Sequence, residues 1–151
     1  AEELYKRGLK YDVVIHVYTR DAVYAYNLTE DEKRYVQNRQ EMIEVFDQNL
    51  DFLKGQEIVK VLYTNTDFEY LQSIDRDLKD ITYDMDVSYS SNRYIEFNHK
   101  GVNKGAGLKK LANLLHIDIQ DTIAIGDNYN DLSMIKVAVC EVIEKFVLKG
   151  E

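Results

Sequence analysis

Two aspartates lie four residues apart in the segment GDNYNDLSM, residues 126–134. The segment directly follows an apolar stretch, 122–125, that predicts a buried strand. The glycine that opens the segment allows a sharp turn, and a helix beginning near Asn130 would let Asp127 and Asp131 face one site. Carboxylate oxygens on an open loop suit Mg²⁺, which keeps waters and shares its shell with a phosphate. The alternative is a loop with a helix cap, because Asp and Asn are also favoured there.

A lysine upstream, Lys104, could supply a cation for the same phosphate. Followed by Gly105, it opens a predicted helix over 104–116. The first N–H groups of a helix attract phosphate, and a lysine there adds a point charge. Alone, such a lysine is an ordinary solvated residue, but here one element offers a cation and the next offers metal ligands. The apolar face of the helix is predicted at Leu108, Leu111, Ala112 and Leu115.

The elements before this helix have a different pattern. Strands are predicted where β-branched and aromatic residues cluster, at 13–19, 22–27, 57–63, 82–90 and 93–98. Helices are predicted at 29–40 and 66–78, the first opened by a capping box of Thr29 and Glu32. These elements form an α+β pattern, whereas the helix, buried strand, loop and helix that follow are typical of a parallel α/β sheet. We therefore expect a domain boundary at about 98–103.

Composition narrows the class of protein. Apolar residues make up 45% of the 151 residues, enough for a core, and no apolar run approaches a membrane span. The net charge of −8 argues against binding nucleic acid or an anionic membrane through bulk charge. The single cysteine, Cys140, excludes a disulfide within the chain and fits a reducing cytoplasm. The charged start, residues 1–6, does not resemble a secretory signal.

Residues 103–134 resemble the C-terminal core signature of the haloacid dehalogenase superfamily, in its Cof-type (subclass IIB) sugar-phosphatase branch. That branch has Lys-Gly at a helix start, a leucine-rich helix, an apolar strand and then Gly-Asp-x-x-Asn-Asp-x-x-Met, and each element occurs here in order. The resemblance implies an α/β fold, with a Rossmann-like parallel-sheet core only partly present. It also implies an α+β cap at 1–100 and the C-terminal part of the core at 101–151.

The resemblance further implies a magnesium-dependent phosphatase that hydrolyses phosphate monoesters of small metabolites, such as sugar phosphates, through an aspartyl-phosphate intermediate. Lys104 would steady the transferring phosphate and the nucleophile. Asp127 would bind Mg²⁺, and Asp131 would support the metal directly or through water. Asn130 would donate a hydrogen bond near the phosphate. These roles fit phosphoryl transfer, in which positioning and charge neutralisation supply most of the catalysis.

The nucleophile of this family lies in an Asp-x-Asp motif at the end of the first core strand, and this chain has no credible match. Its two Asp-x-Asp runs, 75–77 and 84–86, follow no apolar strand, and we interpret both as solvated surface acids. The family pattern also breaks near 139–140, before a predicted last helix at 141–148. We therefore expect this chain to be part of a longer protein that carries the nucleophile and a late core segment.

Substrate selection is the cap's role in this branch, which makes Tyr89, Arg93 and Tyr94 candidate contacts. Two alternatives to the phosphatase remain at this point. The missing Asp-x-Asp fits a degenerate homologue that binds phosphate or metal without turnover. A phosphomutase of the same superfamily would share the remaining motifs. The sequence carries no signal for an oligomeric state.

Overall fold

The computed structural model describes residues 1–138 and 140–143. The strands are β1 (Val14–Thr19), β2 (Val23–Tyr26), β3 (Ile43–Val45), β4 (Ile58–Thr64), β5 (Met85–Ser90), β6 (Tyr94–His99), β7 (Ile123–Gly126) and β8 (Cys140–Ile143). The α-helices are α1 (Glu2–Gly8), α2 (Glu30–Val36), α3 (Phe68–Asp77), α4 (Lys79–Thr82), α5 (Lys104–Leu114) and α6 (Leu132–Ile135). Short 3₁₀ turns lie at Asp51–Leu53, Ile119–Asp121 and Tyr129–Asp131. No described helix combines the length and apolar character that crossing a membrane requires.

A six-stranded sheet in the order β3-β2-β1-β4-β6-β5 forms the first part of the fold. Its neighbours pair antiparallel, except for β2 and β3, which are parallel. Side chains alternate between the two faces, as strand geometry requires. The apolar face packs on α1, α3 and α4 to form the main core. The buried residues of that core include Tyr5, Ile15, Val17, Val61, Tyr63, Leu71, Ile74, Leu78, Ile95 and Phe97.

The opposite face of this sheet is polar, and α2 is fastened to it by a buried carboxylate. Glu32 is fully buried and accepts hydrogen bonds from Tyr94 and Arg93, both at 2.7 Å. The Thr29 hydroxyl accepts from the backbone N–H of Glu32 at 3.2 Å, so the predicted cap is confirmed. The predicted capping box is wrong, because the Glu32 side chain binds the sheet instead of the first turn. Burial raises the pKa of Glu32, while Tyr94 and Arg93 oppose that rise.

The hairpin of β5 and β6 turns through Ser91 and Asn92, both left-handed with φ of 53° and 49°. Two consecutive left-handed residues match the right-handed twist of paired strands. The predicted strand from 82 begins too early, because Thr82 lies in α4. Its hydroxyl donates to the carbonyl of Leu78 at 3.0 Å, one helical turn back. The backbone N–H of Thr82 donates to the same carbonyl at 3.0 Å, and this bond makes Thr82 helical although its type favours a strand.

The second sheet is a parallel pair of β7 and β8, with α5 and α6 on one side. Ala124 of β7 is buried with Ile135 and Ala138, whereas Ile123 and Ile125 are 68% and 67% exposed. The strand predicted to be buried is therefore covered on one face only. On α5, Leu108 and Ala112 are buried or half-buried, but Leu111 and Leu115 are 53% and 59% exposed. The predicted apolar face of this helix is therefore only half covered.

The chain after α6 differs from the expected last helix. Residues 140–143 form β8, so the helix predicted over 141–148 is wrong for 141–143. Residues 144–148 lie outside the described residues, and so does 139, where the family pattern breaks. Pairing with β7 explains the difference, because Ile123 lies opposite Cys140 and Gly126 opposite Ile143 in a parallel register.

Candidate active site

The loop at the carboxyl end of β7 is held in shape by one buried carboxylate. Asp131 is 5% exposed, and its Oδ2 accepts from the backbone N–H groups of Asp127 and Asn128 at 3.2 and 3.1 Å. Asn128 also caps the short turn that follows, accepting from the N–H of Tyr129 at 2.8 Å. The chain then enters α6 at Leu132. The predicted helix start near this point is confirmed, and Asp131 lies inside the loop that it organises.

Gly126 is required by close packing against Asp131. A Cβ atom built on Gly126 would lie 2.2 Å from the Cβ of Asp131, far inside van der Waals contact. Gly126 does not have the left-handed φ that Gly101 has. The sharp-turn explanation offered by the sequence is therefore replaced by a steric one. Only a residue without a side chain lets the loop fold back on its own strand.

Lys104 lies at the first turn of α5 and contacts this loop. Its Nζ donates to Oδ1 of Asn130 at 3.1 Å and to Oδ1 of Asp131 at 2.5 Å. Burial tends to raise the pKa of Asp131, but Lys104 and the N–H groups of Asn128 and Asp127 hold it below its usual value. Asp131 is therefore a carboxylate beside a lysine. Three of the predicted site residues are thus brought together by the fold.

The first turn of α5 approaches α6 at the level of the backbone. Asn103 caps α5, since its Oδ1 accepts from the N–H of Ala106 at 2.9 Å. The N–H of Gly105 donates to Oγ of Ser133 at 3.0 Å. A Cβ on Gly105 would lie 2.2 Å from the carbonyl oxygen of Ser133, so the glycine after Lys104 is what lets the two helices meet.

Asp127, the fourth predicted site residue, is exposed at the tip of β7. Its backbone N–H binds Asp131, while among the described residues its carboxylate has no hydrogen-bond partner. Within residues 1–138 and 140–143 no group of three or more His, Cys, Asp or Glu could hold a metal. Mg²⁺ commonly uses one or two protein carboxylates, with waters and substrate oxygens as its other ligands. The free carboxylate of Asp127 fits that requirement, whereas both oxygens of Asp131 are already engaged.

A cleft of about 530 Å³ separates this loop from the polar face of the large sheet. Its walls include Asp86, Ser88, Glu96 and Asn98 on the sheet side, and Lys104, Tyr129, Asn130, Ser133 and Lys136 on the loop side. Lys104 and Asn130 therefore face a space large enough for a small metabolite. The cleft therefore lies between the large sheet and the part of the fold that carries α5 and α6.

The cap residues suggested by the sequence do not line this cleft. Tyr89 lies on the other face of β5 and donates to Asp75 at 2.9 Å. Arg93 and Tyr94 both donate hydrogen bonds to Glu32. The alternation of β5, in which polar residues 86, 88 and 90 alternate with apolar 87 and 89, could have identified the cleft-facing side.

The Asp-x-Asp runs are also not simply solvated. Asp75 accepts from Tyr89, and Asp86 accepts from the N–H of Gly101 and from Nδ2 of Asn103, both at 2.9 Å. Only Asp77 and Asp84 are exposed. The interpretation as solvated surface acids is therefore wrong for Asp75, whose side chain is 14% exposed, whereas Asp86 lies at the surface but also binds Gly101 and Asn103. Neither run follows a parallel strand.

The chain is similar to known proteins in both sequence and fold. The family model described as haloacid dehalogenase-like hydrolase matches residues 1–143. A solved subclass IIB sugar phosphatase superposes with a TM-score of 0.76 at 15% identity, covering 91% of this chain and 52% of that one. A haloacid dehalogenase-like hydrolase from Bacteroides thetaiotaomicron superposes with a TM-score of 0.69 at 26% identity, again covering 91% and 52%. The predicted α/β fold is confirmed.

A shorter stretch of the chain is similar in sequence to a phosphatase named for its substrate. A 5-amino-6-(5-phospho-D-ribitylamino)uracil phosphatase of Bacillus subtilis is 38% identical over 84 residues, which are 56% of this chain and 29% of that protein. The chain spans about half the length of the solved structures it matches, 52% in both cases above.

Proposed function

Because the chain belongs to the haloacid dehalogenase-like hydrolase family, we propose that it is part of a magnesium-dependent phosphatase. Its substrates are phosphate monoesters of small metabolites, hydrolysed through an aspartyl-phosphate intermediate. One observation carries the proposal. Lys104 contacts Asn130 and Asp131 at the mouth of a cleft, with the free carboxylate of Asp127 on the same loop.

The residues of this chain bind and orient the phosphate. Lys104 supplies the positive charge that the transferring phosphoryl group needs as its oxygens gather charge. Oδ1 of Asn130 accepts a hydrogen bond from Nζ of Lys104, so the amide N–H groups of Asn130 point to other partners and can donate to a phosphate oxygen. Asp131 contacts Lys104 and fixes the loop, so these groups are preorganised. Preorganised donors stabilise a charged transition state without reorganising during the reaction.

Asp127 is the proposed protein ligand of Mg²⁺, with Asp131 supporting the site through water. When bound, the metal supplies neutralisation of phosphate charge and orientation of the phosphate. The support is the chemistry of the donor: an exposed carboxylate with no protein partner among the described residues. Asp131 fits a supporting role because its two oxygens bind Lys104 and backbone N–H groups.

We propose that residues 1–100 form a cap and residues 101–151 the C-terminal part of a core. The remainder of that core, with the nucleophilic aspartate, lies outside this chain. Ile123 and Ile125 support this division because they leave one face of a parallel strand bare. Parallel sheets are normally covered on both faces. The coverage of about half of each solved relative, 52%, agrees.

The substrate we propose is a small hydroxyl-bearing phosphate ester, such as a sugar phosphate. The sheet wall of the cleft offers Ser88 and Asn98, neutral side chains that can exchange hydrogen bonds with hydroxyl groups. The name of one solved relative, a sugar phosphatase, points the same way. The net charge of −8 argues against a nucleic acid or a membrane as the partner. A cytoplasmic location is part of the same proposal.

A phosphate-binding homologue without turnover is the second candidate. The observation in its favour is that neither Asp-x-Asp run occupies a nucleophile's position. Asp75 binds Tyr89 of the large sheet, and Asp86 binds Gly101 in the linker, residues 100–103, that leads from this sheet to α5. No specific observation favours a phosphomutase. Turnover by the full-length protein separates the two candidates.

The decisive experiment is a phosphatase assay of the full-length protein on p-nitrophenyl phosphate and a panel of sugar phosphates. It is run with Mg²⁺ and with EDTA, beside Asp127→Ala. Magnesium-dependent release of phosphate that is lost in the variant supports the enzyme and the metal role together. An intact protein that binds phosphate but releases none from any ester indicates the binding homologue.

A further inference from the structure

Asp86 connects the large sheet to the segment that leads into α5. It lies in β5, and its Oδ2 accepts from the N–H of Gly101 and from Nδ2 of Asn103, both at 2.9 Å. Gly101 has a left-handed φ of +83°, so the chain changes direction directly after the N–H that binds Asp86. One carboxylate oxygen thus holds two points of the linker.

Asn103 joins this contact to the phosphate-binding helix. Its Nδ2 donates to Asp86, while its Oδ1 accepts from the N–H of Ala106 and caps α5. The next residue is Lys104, whose Nζ reaches Asn130 and Asp131. A single amide side chain therefore binds the sheet with one end and the first turn of α5 with the other.

We propose that Asp86 is a positioning residue, which sets the first turn of α5 and thereby the place of Lys104 relative to the phosphate. This inference rests on the proposed function, because it takes Lys104 as a phosphate contact. Hydrogen bonds to a charged acceptor are stronger than those between neutral groups. A misplacement of about 1 Å in a positioning contact can cost about a hundredfold in rate.

The adjacent ion pair does not explain the same connection. Asp84 contacts Lys100 at 2.8 Å, but their side chains are 64% and 66% exposed. Lys100 lies three residues before Asn103, the cap of α5, so this pair does not contact the helix. Asp84 is therefore a matched control, being an acid two residues from Asp86 that also touches the linker but does not reach the helix cap.

Four single variants of the full-length protein, and the double variant of Asp86→Ala with Asn103→Ser, test the proposal. Asp86→Ala removes the acceptor, while Asp86→Asn keeps an oxygen able to accept both bonds. Asn103→Ser retains a capping oxygen but loses the donor to Asp86. Asp84→Asn is the control. For each variant, calorimetry gives the affinity and stoichiometry of inorganic phosphate with Mg²⁺, and kinetics give kcat and KM.

We expect Asp86→Ala to weaken phosphate binding about tenfold at unchanged stoichiometry and to lower kcat by at least about tenfold. Unchanged stoichiometry separates misplacement of Lys104 from loss of folded protein. Asp86→Asn stays within about threefold of the wild type, because it keeps the acceptor. When Asn103→Ser is already present, adding Asp86→Ala should lower the phosphate affinity less than Asp86→Ala does alone. The contact that the two residues share is then already broken. Asp84→Asn behaves as the wild type.

Wild-type affinity in Asp86→Ala would overturn the inference, as would an Asp86→Asn variant as impaired as Asp86→Ala. A wild type that binds phosphate but hydrolyses nothing rejects the proposed phosphatase, while the phosphate affinities still decide the role of Asp86. A wild type that binds no phosphate overturns this inference as well, since Lys104 would then hold no phosphate.

Discussion

Nζ of Lys104 lies 2.5 Å from Oδ1 of Asp131, although the two residues are 27 positions apart in the chain. The contact joins the first turn of α5 to the loop after β7. It also gives the two aspartates of that loop, Asp127 and Asp131, different roles. Asp131 binds Lys104 and two backbone N–H groups, whereas the carboxylate of Asp127 has no partner within residues 1–138 and 140–143.

Removing the charge of Lys104 tests its role in the reaction. We expect Lys104→Met to lower kcat of the full-length phosphatase by about 10²–10³-fold, the usual cost of losing one preorganised donor to a developing charge. Lys109→Met is the control, since Lys109 is an exposed lysine of the same helix. Steady-state kinetics on p-nitrophenyl phosphate measure both. Equal activity in the two variants would remove Lys104 from the mechanism.

Replacing Asp131 should destabilise the protein, whereas replacing Asp127 should not. Asp131→Ala leaves two backbone N–H groups and Lys104 without their acceptor, so we expect about 2–4 kcal/mol less free energy of unfolding. Asp127→Ala should stay within about 0.5 kcal/mol of the wild type, as exposed substitutions usually do. Urea unfolding without Mg²⁺ measures both variants. A larger loss in Asp127→Ala would show that the assignment of the two roles is reversed.

The two glycines of α5 should respond oppositely to alanine. A Cβ at Gly105 would lie 2.2 Å from the carbonyl oxygen of Ser133, so Gly105→Ala must separate α5 from α6. We expect it to cost about 1–3 kcal/mol, as overpacking does. No atom of the part of the chain that the structure describes lies within 4 Å of a Cβ at Gly107, so Gly107→Ala should stabilise the helix by about 0.5–1 kcal/mol. Thermal unfolding of the two variants measures both effects. A Gly105→Ala variant more stable than the wild type would contradict the close packing of α5 on α6.

Acid should destabilise the fold through His16. Burial first, and then Lys60 and Arg93, lower the pKa of this histidine from 6.5 to about 3. Between these values the unfolded chain binds a proton that the folded protein does not. The free energy of unfolding therefore falls as the pH falls below 6.5, by up to about 1.4 kcal/mol per pH unit. Glu32 acts in the opposite direction, because its raised pKa lets the folded state take up a proton before the unfolded state does.

The variant His16→Leu isolates this contribution, because leucine does not titrate. Its free energy of unfolding should change less steeply between pH 4 and pH 7 than that of the wild type. Chemical denaturation at several pH values gives both slopes. Identical slopes would mean that the pKa of His16 is the same in the folded and the unfolded protein, which contradicts the lowered value.

The bare face of β7 predicts opposite effects in two contexts. In the 151-residue chain alone, Ile123→Thr with Ile125→Thr should reduce self-association, because both side chains are about two-thirds exposed. In the full-length protein the same pair should lower the free energy of unfolding by about 2–4 kcal/mol, since each isoleucine would be buried there. Light scattering and urea unfolding measure the two effects. Val59→Thr, at a valine 58% exposed on β4, is the control and should change neither.

The sequence by itself determined the elements whose signals are local. The break between the strands predicted at 82–90 and 93–98, the Thr29 cap and the start of a helix at Lys104 each depend on a few neighbouring residues. The segment 126–134 likewise predicted a loop after a strand, followed by a helix, and the fold has that order. Such signals survive without an account of the rest of the molecule because backbone hydrogen bonds and turn geometry act over a few residues.

Only the tertiary structure decided what several side chains do. Glu32 binds Tyr94, which lies 62 positions away, so it leaves the capping box that its spacing predicts. Gly126 is a glycine because Asp131 folds back against it, and Asp86 binds Gly101 and Asn103 although its sequence context predicted only a surface acid. These partners are distant in sequence, and which of them meet depends on how strands and helices pack. A carboxylate alone does not determine whether it will hold a metal, a lysine or a backbone turn, because the free energy of each contact depends on what the fold brings within reach.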